Sequence, residues 1–367
     1  MSYQGPLIDV DIHHTWASAE ELYPYLDPRA RELVAPSEGV GISIDPAIPQ
    51  YPHSNGMVLR VDAFSEDGRL PGSDLETLQR QHLDRFDVEV GMLTFGIGLN
   101  AGVANPRLGT ELAKAVNRWS IERWLQSGED RLFGAVLVPT QLPEDGAAEI
   151  RDVGRHDRIV GALLVANGLG KSFGHPIYDP IFEAASEMNL PLLMHSGGDQ
   201  LPGGTHHVAG GMPLSRMEFT TLGTQSAAMH LASLIVHGVF ERYPNLTYIV
   251  VESGVAWLGP FAWRLDQVVD ELRRESDWIR KLPSEYLREH VRISTQPIEL
   301  SPERQQLIDV LNGFEGIEDV LVFASDYPHW DADAPSWLAR RLPEEWGQKV
   351  LHDNAAKVLR LPSGVAA

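Results

Sequence analysis

Ile8-Asp9-Val10-Asp11-Ile12-His13-His14, close behind the N-terminus, decides how the chain is read. Leu7 to Ile12 is an apolar run of strand length that leads directly into metal-ligand residue types. Residues two apart on a strand share a face, so Asp11 and His13 point the same way. A carboxylate and an imidazole are thus offered together to one cation. By the same alternation His14 points away from His13, unless the chain turns where the strand ends.

Seven further runs fit the same description, at Val88–Phe95, Leu132–Val138, Ile159–Val165, Leu190–His195, Leu246–Val251, Val291–Ser294 and Asp319–Ala324. Helical periodicity separates nearly all of them: Arg107–Leu125, Glu144–Val153, Pro180–Met188, Ser226–Arg242, Trp257–Glu275, Ser284–Glu289 and Pro302–Leu311. Alternating strands and helices predict a parallel sheet, and eight such units are the number that closes a (β/α)8 TIM barrel. An open doubly wound sheet is disfavoured, because no Gly-x-Gly-x-x-Gly turn follows an early strand. One domain over residues 1–367 is expected. It carries an insertion at about 18–85, including short helices at Ala19–Leu26 and Leu75–Asp84, and C-terminal helices at about 335–360. The Gly-, Pro- and Ser-rich stretch Pro36–Ser73 is long enough to be an active-site loop, and it bears His53, Arg60 and Asp62.

The 367 residues are 43% hydrophobic and 22% charged, which suffices for a large core. With no cysteine, a thiolate metal site, a disulfide framework and a cysteine nucleophile are all excluded. A net charge of −21 argues against nucleic-acid binding. Neither a signal-like N-terminus nor an apolar run of membrane length is present, so a cytoplasmic protein with no membrane association is expected. A Gly-x-Ser-x-Gly elbow and a P-loop are also missing.

Catalytic groups of a barrel gather at the C-terminal ends of its strands. Strand one ends in Asp11, His13 and His14, strand five in His195, and strand six in Glu252. Strand eight ends in Asp326, followed by His329 in Ser325-Asp326-Tyr327-Pro328-His329. Distant segments thus each deliver a nitrogen or oxygen ligand to one face.

Asp-x-Asp-x-His near the N-terminus, a His closing the middle strand and Ser-Asp-Tyr-Pro-His near the C-terminus resemble the amidohydrolase-related proteins. This group includes the aminocarboxymuconate-semialdehyde and resorcylate decarboxylases. Gly238-Val239-Phe240-Glu241-Arg242-Tyr243-Pro244-Asn245-Leu246, Trp257, Arg264-Leu265-Asp266 and Asp353-Asn354-Ala355-Ala356 extend the resemblance over essentially the whole chain. It implies a barrel enzyme with one divalent metal, often zinc, at Asp11, His13, His195 and Asp326. Two departures stand out. Asp11 replaces the first His of the usual His-x-His pair, and Val251-Glu252-Ser253-Gly254 lacks the histidine that the decarboxylases place on strand six.

Two mechanisms follow. In the first, a mononuclear hydrolase or carboxy-lyase acts on a small carboxylate- or amide-bearing substrate. Asp326 is its acid/base, Glu252 and His329 assist, and Trp16, Arg60 and Arg216 bind substrate. In the second, His14, Glu252 and His329 join the other ligands. Seven donors exceed the needs of one tetrahedral zinc. That surplus resembles the dinuclear Fe/Fe or Mn/Fe oxygenases on this barrel, which use an external ferredoxin and reductase. The loops Pro36–Ser73 and Ser196–Met212 are expected to shape the pocket, and the barrel flank leaves room for a homo- or hetero-oligomer.

Overall fold

The computed structural model describes residues 3, 5–34, 44, 59–95, 103, 105–164, 170–195 and 215–365. Eight strands form a single parallel sheet in sequence order: β1 Leu7–His13, β2 Val88–Thr94, β3 Leu132–Leu137, β4 Ile159–Leu164, β5 Leu192–His195, β6 Tyr248–Val251, β7 Val291–Ser294 and β8 Leu321–Val322. In a closed parallel sheet the helices cover one face and the packed interior the other, so such strands read as nearly unbroken apolar runs. Ile159-Val160-Gly161-Ala162-Leu163-Leu164 shows this, and every residue of it is buried.

The first and last strands meet. The Val10 amide donates to Phe323 O at 3.1 Å, the Asp326 amide to Asp11 O at 3.1 Å, and Ile12 bridges Tyr327 in parallel. The sheet therefore closes into the expected (β/α)8 barrel. The amide of Phe323 in turn donates to Val350 O at 2.9 Å, so the C-terminal helical turn Lys349–Asp353 clasps the closing strand. Asn354, from the Asp353-Asn354-Ala355-Ala356 motif, donates through Nδ2 to Glu318 O at 2.7 Å and Leu321 O at 2.8 Å.

β1 departs from strict alternation. Asp9 pairs with Gly91 while Ile12 pairs with Leu93, so β1 holds one extra residue between these pairs. A bulge of this kind re-aims side chains. Asp9 turns to His82, whose Nε2 lies 2.7 Å from its Oδ2, whereas Asp11 and His13 face the mouth of the barrel.

Two helical expectations need correction. Ala19–Leu26 is not one helix but two single turns, Ala19–Glu21 and Tyr23–Tyr25, because Pro24 cannot donate to a continuing helix. A helix follows at Pro28–Val34, where Asp27 Oδ1 accepts from the Ala30 amide at 2.7 Å and proline takes the first turn. The helix expected from Ser226 starts at Arg216. Ser215 Oγ accepts from the Glu218 amide at 3.3 Å, and Glu218 Oε2 accepts from the Ser215 amide at 2.9 Å, a capping box. His53 and the loop Ser196–Met212 lie outside the described residues, as does most of Pro36–Ser73.

Candidate metal centre

Four strand ends deliver six side chains to one place. Asp11 and His13 come from β1, His195 from β5, Glu252 from just beyond β6, and Asp326 and His329 from beyond β8. They fall into two overlapping groups, Asp11–His13–His195–Glu252 and His13–Glu252–Asp326–His329, each with ligand atoms within 4.8 Å of one another. His13 Nε2 lies 2.8 Å from Asp326 Oδ1, 3.1 Å from Glu252 Oε1 and 3.7 Å from Asp11 Oδ2. His195 Nε2 lies 3.2 Å from Glu252 Oε1 and 3.7 Å from Asp11 Oδ2. His329 Nδ1 is paired with Asp326 Oδ1 and lies 3.5 Å from Glu252 Oε1.

The backbone is bent to make this possible. Glu252 and Asp326 both adopt positive φ, 51° and 59°. Non-glycine residues rarely occupy that region, and such strain concentrates at functional sites. Several hydrogen bonds hold the two bends. The Glu252 amide donates to Ser294 Oγ at 3.2 Å, and Glu299 accepts from the Val255 and Ala256 amides that follow. The Ser325 amide donates to Asp9 Oδ1 at 2.9 Å.

Three carboxylates and three imidazoles so close together polarise one another. Burial alone would raise the Glu252 carboxyl, but His195 and the hydrogen bonds from His13, His195 and His329 hold it well below the usual range. Burial opposes a charged His195, yet Glu252 and Asp11 hold its imidazole well above its usual value. Burial, with repulsion from Glu252, pushes the Asp326 carboxyl up to about 7. Burial works against a charged His329 as well, but Asp326 and Glu252 bring it to about 10.

These residues fit a divalent cation. Asp11 Oδ2 is buried and has no hydrogen-bond partner among the described residues, and it points at the two Nε2 atoms. Buried charges persist only when paired or bound to metal. A cation among three carboxylates would supply the missing compensation.

The other sequence candidates are placed differently. His14 lies outside both groups. Alternation turns it outward, its Nδ1 donates to Thr94 O at 2.8 Å, and its Nε2 accepts from Ser120 Oγ at 2.7 Å. Burial pushes its imidazole down to about 3, keeping it neutral between Phe95, Trp119 and Trp124. Trp16 is core rather than pocket wall: it is 2% exposed, donates through Nε1 to Ile44 O at 2.8 Å, and stands edge-on to Trp119. Arg60 lies at the rim, where its amide donates to Pro328 O at 3.0 Å and Leu59 bridges His329, but its guanidinium is paired with Asp62. Arg216 opens its helix, and its side chain is outside the described residues. Sequence reasoning missed Thr94. Its hydroxyl donates to Asp11 Oδ1 and lies 3.2 Å from His13 Nδ1.

Residues 8–361 match the family described as Amidohydrolase. The chain belongs to the amidohydrolase family. This amidohydrolase is 24% identical over 322 residues to the gamma-resorcylate decarboxylase of a Rhizobium species, covering 80% of this chain and 93% of that protein. It is 25% identical over 178 residues to the 2-amino-3-carboxymuconate-6-semialdehyde decarboxylase of Dictyostelium discoideum, 47% of this chain and 46% of the other. An amidohydrolase structure from Mycobacterium avium subsp. paratuberculosis superposes with a TM-score of 0.72 at 20% identity, covering 97% of this chain and 100% of that one. A dihydroxybenzoic acid decarboxylase from a Polaromonas species, with bound manganese and 2-nitroresorcinol, gives 0.65 at 18% identity over 97% of each chain. The structural likenesses establish the barrel. The family match, with the decarboxylase relatives, makes this amidohydrolase a metal-dependent enzyme of the hydrolase or carboxy-lyase kind. The oxygenase expectation finds no support among these relatives, and it loses His14, one of its two distinguishing ligands. No helix among the described residues is long and apolar enough to cross a membrane.

Proposed function

We propose that this amidohydrolase decarboxylates a hydroxylated aromatic carboxylate. The observation that carries the reading is Asp326, a buried carboxyl within hydrogen-bond reach of both His13 and His329 at the mouth where the ligands converge. The relatives named above as decarboxylases favour carboxy-lyase over hydrolase chemistry.

Asp11, His13, His195 and Glu252 would hold the ion, with Asp326 at its edge. When bound, the ion supplies positive charge that orients the substrate's carboxylate and an adjacent hydroxyl oxygen. Oxygen donors make up half of the six groups and sulfur is absent, which suits manganese or iron better than the zinc expected from the sequence.

Asp326 delivers its proton to the ring carbon that bears the carboxylate, forming a C–H bond. The C–C bond then breaks, its electron pair returns to the ring, and CO2 leaves. His329 re-protonates Asp326 through the Nδ1–Oδ1 contact and recovers its own proton from water. Glu252 stands where the decarboxylase pattern has a histidine, so in this chain His329 takes the proton-transfer role.

The test is to incubate metal-loaded protein with a panel of hydroxybenzoates in D2O. We expect CO2 and an arene carrying one deuterium at the vacated carbon. Turnover of amides or lactones with no CO2 from any carboxylate would overturn the reading in favour of hydrolysis.

A further inference from the structure

Thr94 closes β2 directly beside His13 in the parallel register, and it is fully buried. Its hydroxyl touches two residues of the candidate metal centre. Oγ1 is bonded to Asp11 Oδ1, lies 3.2 Å from His13 Nδ1, and lies 3.4 Å from Ile12 O.

A hydroxyl has one proton to give and lone pairs to receive. Asp11 is a ligand in the metal reading, and a ligating carboxylate is deprotonated, so its Oδ1 can only accept. Ile12 O is a carbonyl and only accepts. The Thr94 proton therefore goes to the nearer of these, Asp11, in a charge-assisted bond. Toward His13 the threonine oxygen is left as an acceptor, so Nδ1 must carry the ring proton. Nε2 is then the ring nitrogen left facing Glu252, Asp326 and the space between them, where it is free to bind an ion. The same hydroxyl occupies Oδ1 of Asp11 and leaves Oδ2, the oxygen without a partner, facing that space.

We propose that Thr94 is a positioning residue that presets two metal ligands at once. It fixes His13 as the Nδ1–H tautomer and turns one oxygen of Asp11 toward the ion. The inference rests on the metal reading of the cluster. It has no counterpart in the sequence motifs, because the signal is a single threonine at a strand end. Partners of this type outside the ligand set typically change metal affinity 10–100-fold when removed.

Thr94→Val keeps the shape and removes the hydroxyl, while Thr94→Ser keeps the hydroxyl. Mn2+ alone is titrated into chelator-stripped full-length protein by calorimetry, with folding checked by circular dichroism. We expect Thr94→Val to weaken Mn2+ binding at least tenfold, and Thr94→Ser to stay within about threefold of wild type. Where valine does not fold, Thr94→Ala takes its place in the comparison with serine. In 15N-histidine protein loaded with diamagnetic Zn2+, His13 should show a protonated Nδ1 and a metallated Nε2. Equal Mn2+ affinity in valine, alanine and wild-type proteins, or Zn2+ on Nδ1 of His13, would overturn the inference. A wild-type protein that binds no divalent ion would instead overturn the metal reading itself.

Discussion

Asp326 and His14 both flank ligand positions, yet they differ in every respect that matters for chemistry. Asp326 sits on a strained backbone, φ 59°, between two imidazoles. Replacing it with Asn removes the proton donor while preserving shape. We expect Asp326→Asn to cut turnover by at least ~10²-fold, with substrate binding and metal content largely kept. Steady-state kinetics beside metal analysis checks this, and normal turnover would remove Asp326 from its role. His14 is packed among aromatic rings with both nitrogens engaged. His14→Gln is expected to lower the melting temperature by a few degrees, on the order of the loss of one or two buried hydrogen bonds, and to leave metal stoichiometry unchanged. Loss of an ion in that variant would return His14 to the ligand set. Residue types at strand ends were readable in the sequence, as Asp11, His13, His195 and Asp326 show. Contacts were not: nothing local to Thr94 or Ser120 marks them as partners of His13 and His14.

At the scale of elements, the strands were legible because each one is a short apolar run bounded by turn residues. The bulge in β1 was not, since it arises from register against β2 rather than from composition. The described parts of the segment between β1 and β2 are the least legible, because their turns depend on docking against the barrel mouth. Gly72 shows how close that docking is. It has φ 80°, its carbonyl accepts from the Thr15 amide at 2.9 Å, and an added Cβ would lie 2.7 Å from His13 O. Gly72→Ala should therefore displace the strand end that carries His13. Weaker metal binding in an otherwise folded protein is the expected result, read by titration and circular dichroism.

Glu129 secures the opposite end of the same segment. It accepts from Gln79 Nε2 at 2.7 Å and from Arg131 Nε and Nη2, each at 2.7 Å. The pairing with Arg131 holds its carboxyl near 2, below the ordinary 4.5. A depressed carboxyl stabilises the fold above its unfolded value and loses that contribution as pH falls through its folded value. The melting temperature of Glu129→Gln should thus fall below that of wild type at pH 7, by about 2–5 °C, and the gap should narrow below pH 4.5. A gap that is constant with pH would show that the charge contributes nothing.

For the whole molecule, closure of the barrel brings residues more than 300 positions apart, Asp11 and Asp326, into one cluster. The fold and the ion are then linked: a ligand that binds only the folded state stabilises it by mass action. Chelation should lower the melting temperature, and excess Mn2+ should restore it. What the sequence left open at this scale was ion number, since seven donor groups could be counted, and six of them converge among the described residues.

The most direct measurement is metal content per chain in protein purified without added metal, in parallel with the double variant His13→Ala/His195→Ala. We expect about one first-row divalent ion per wild-type chain and none in the variant. A wild-type chain that holds no ion even after reconstitution, or a variant that retains it in full, would contradict the assignment of these strand ends as a metal centre.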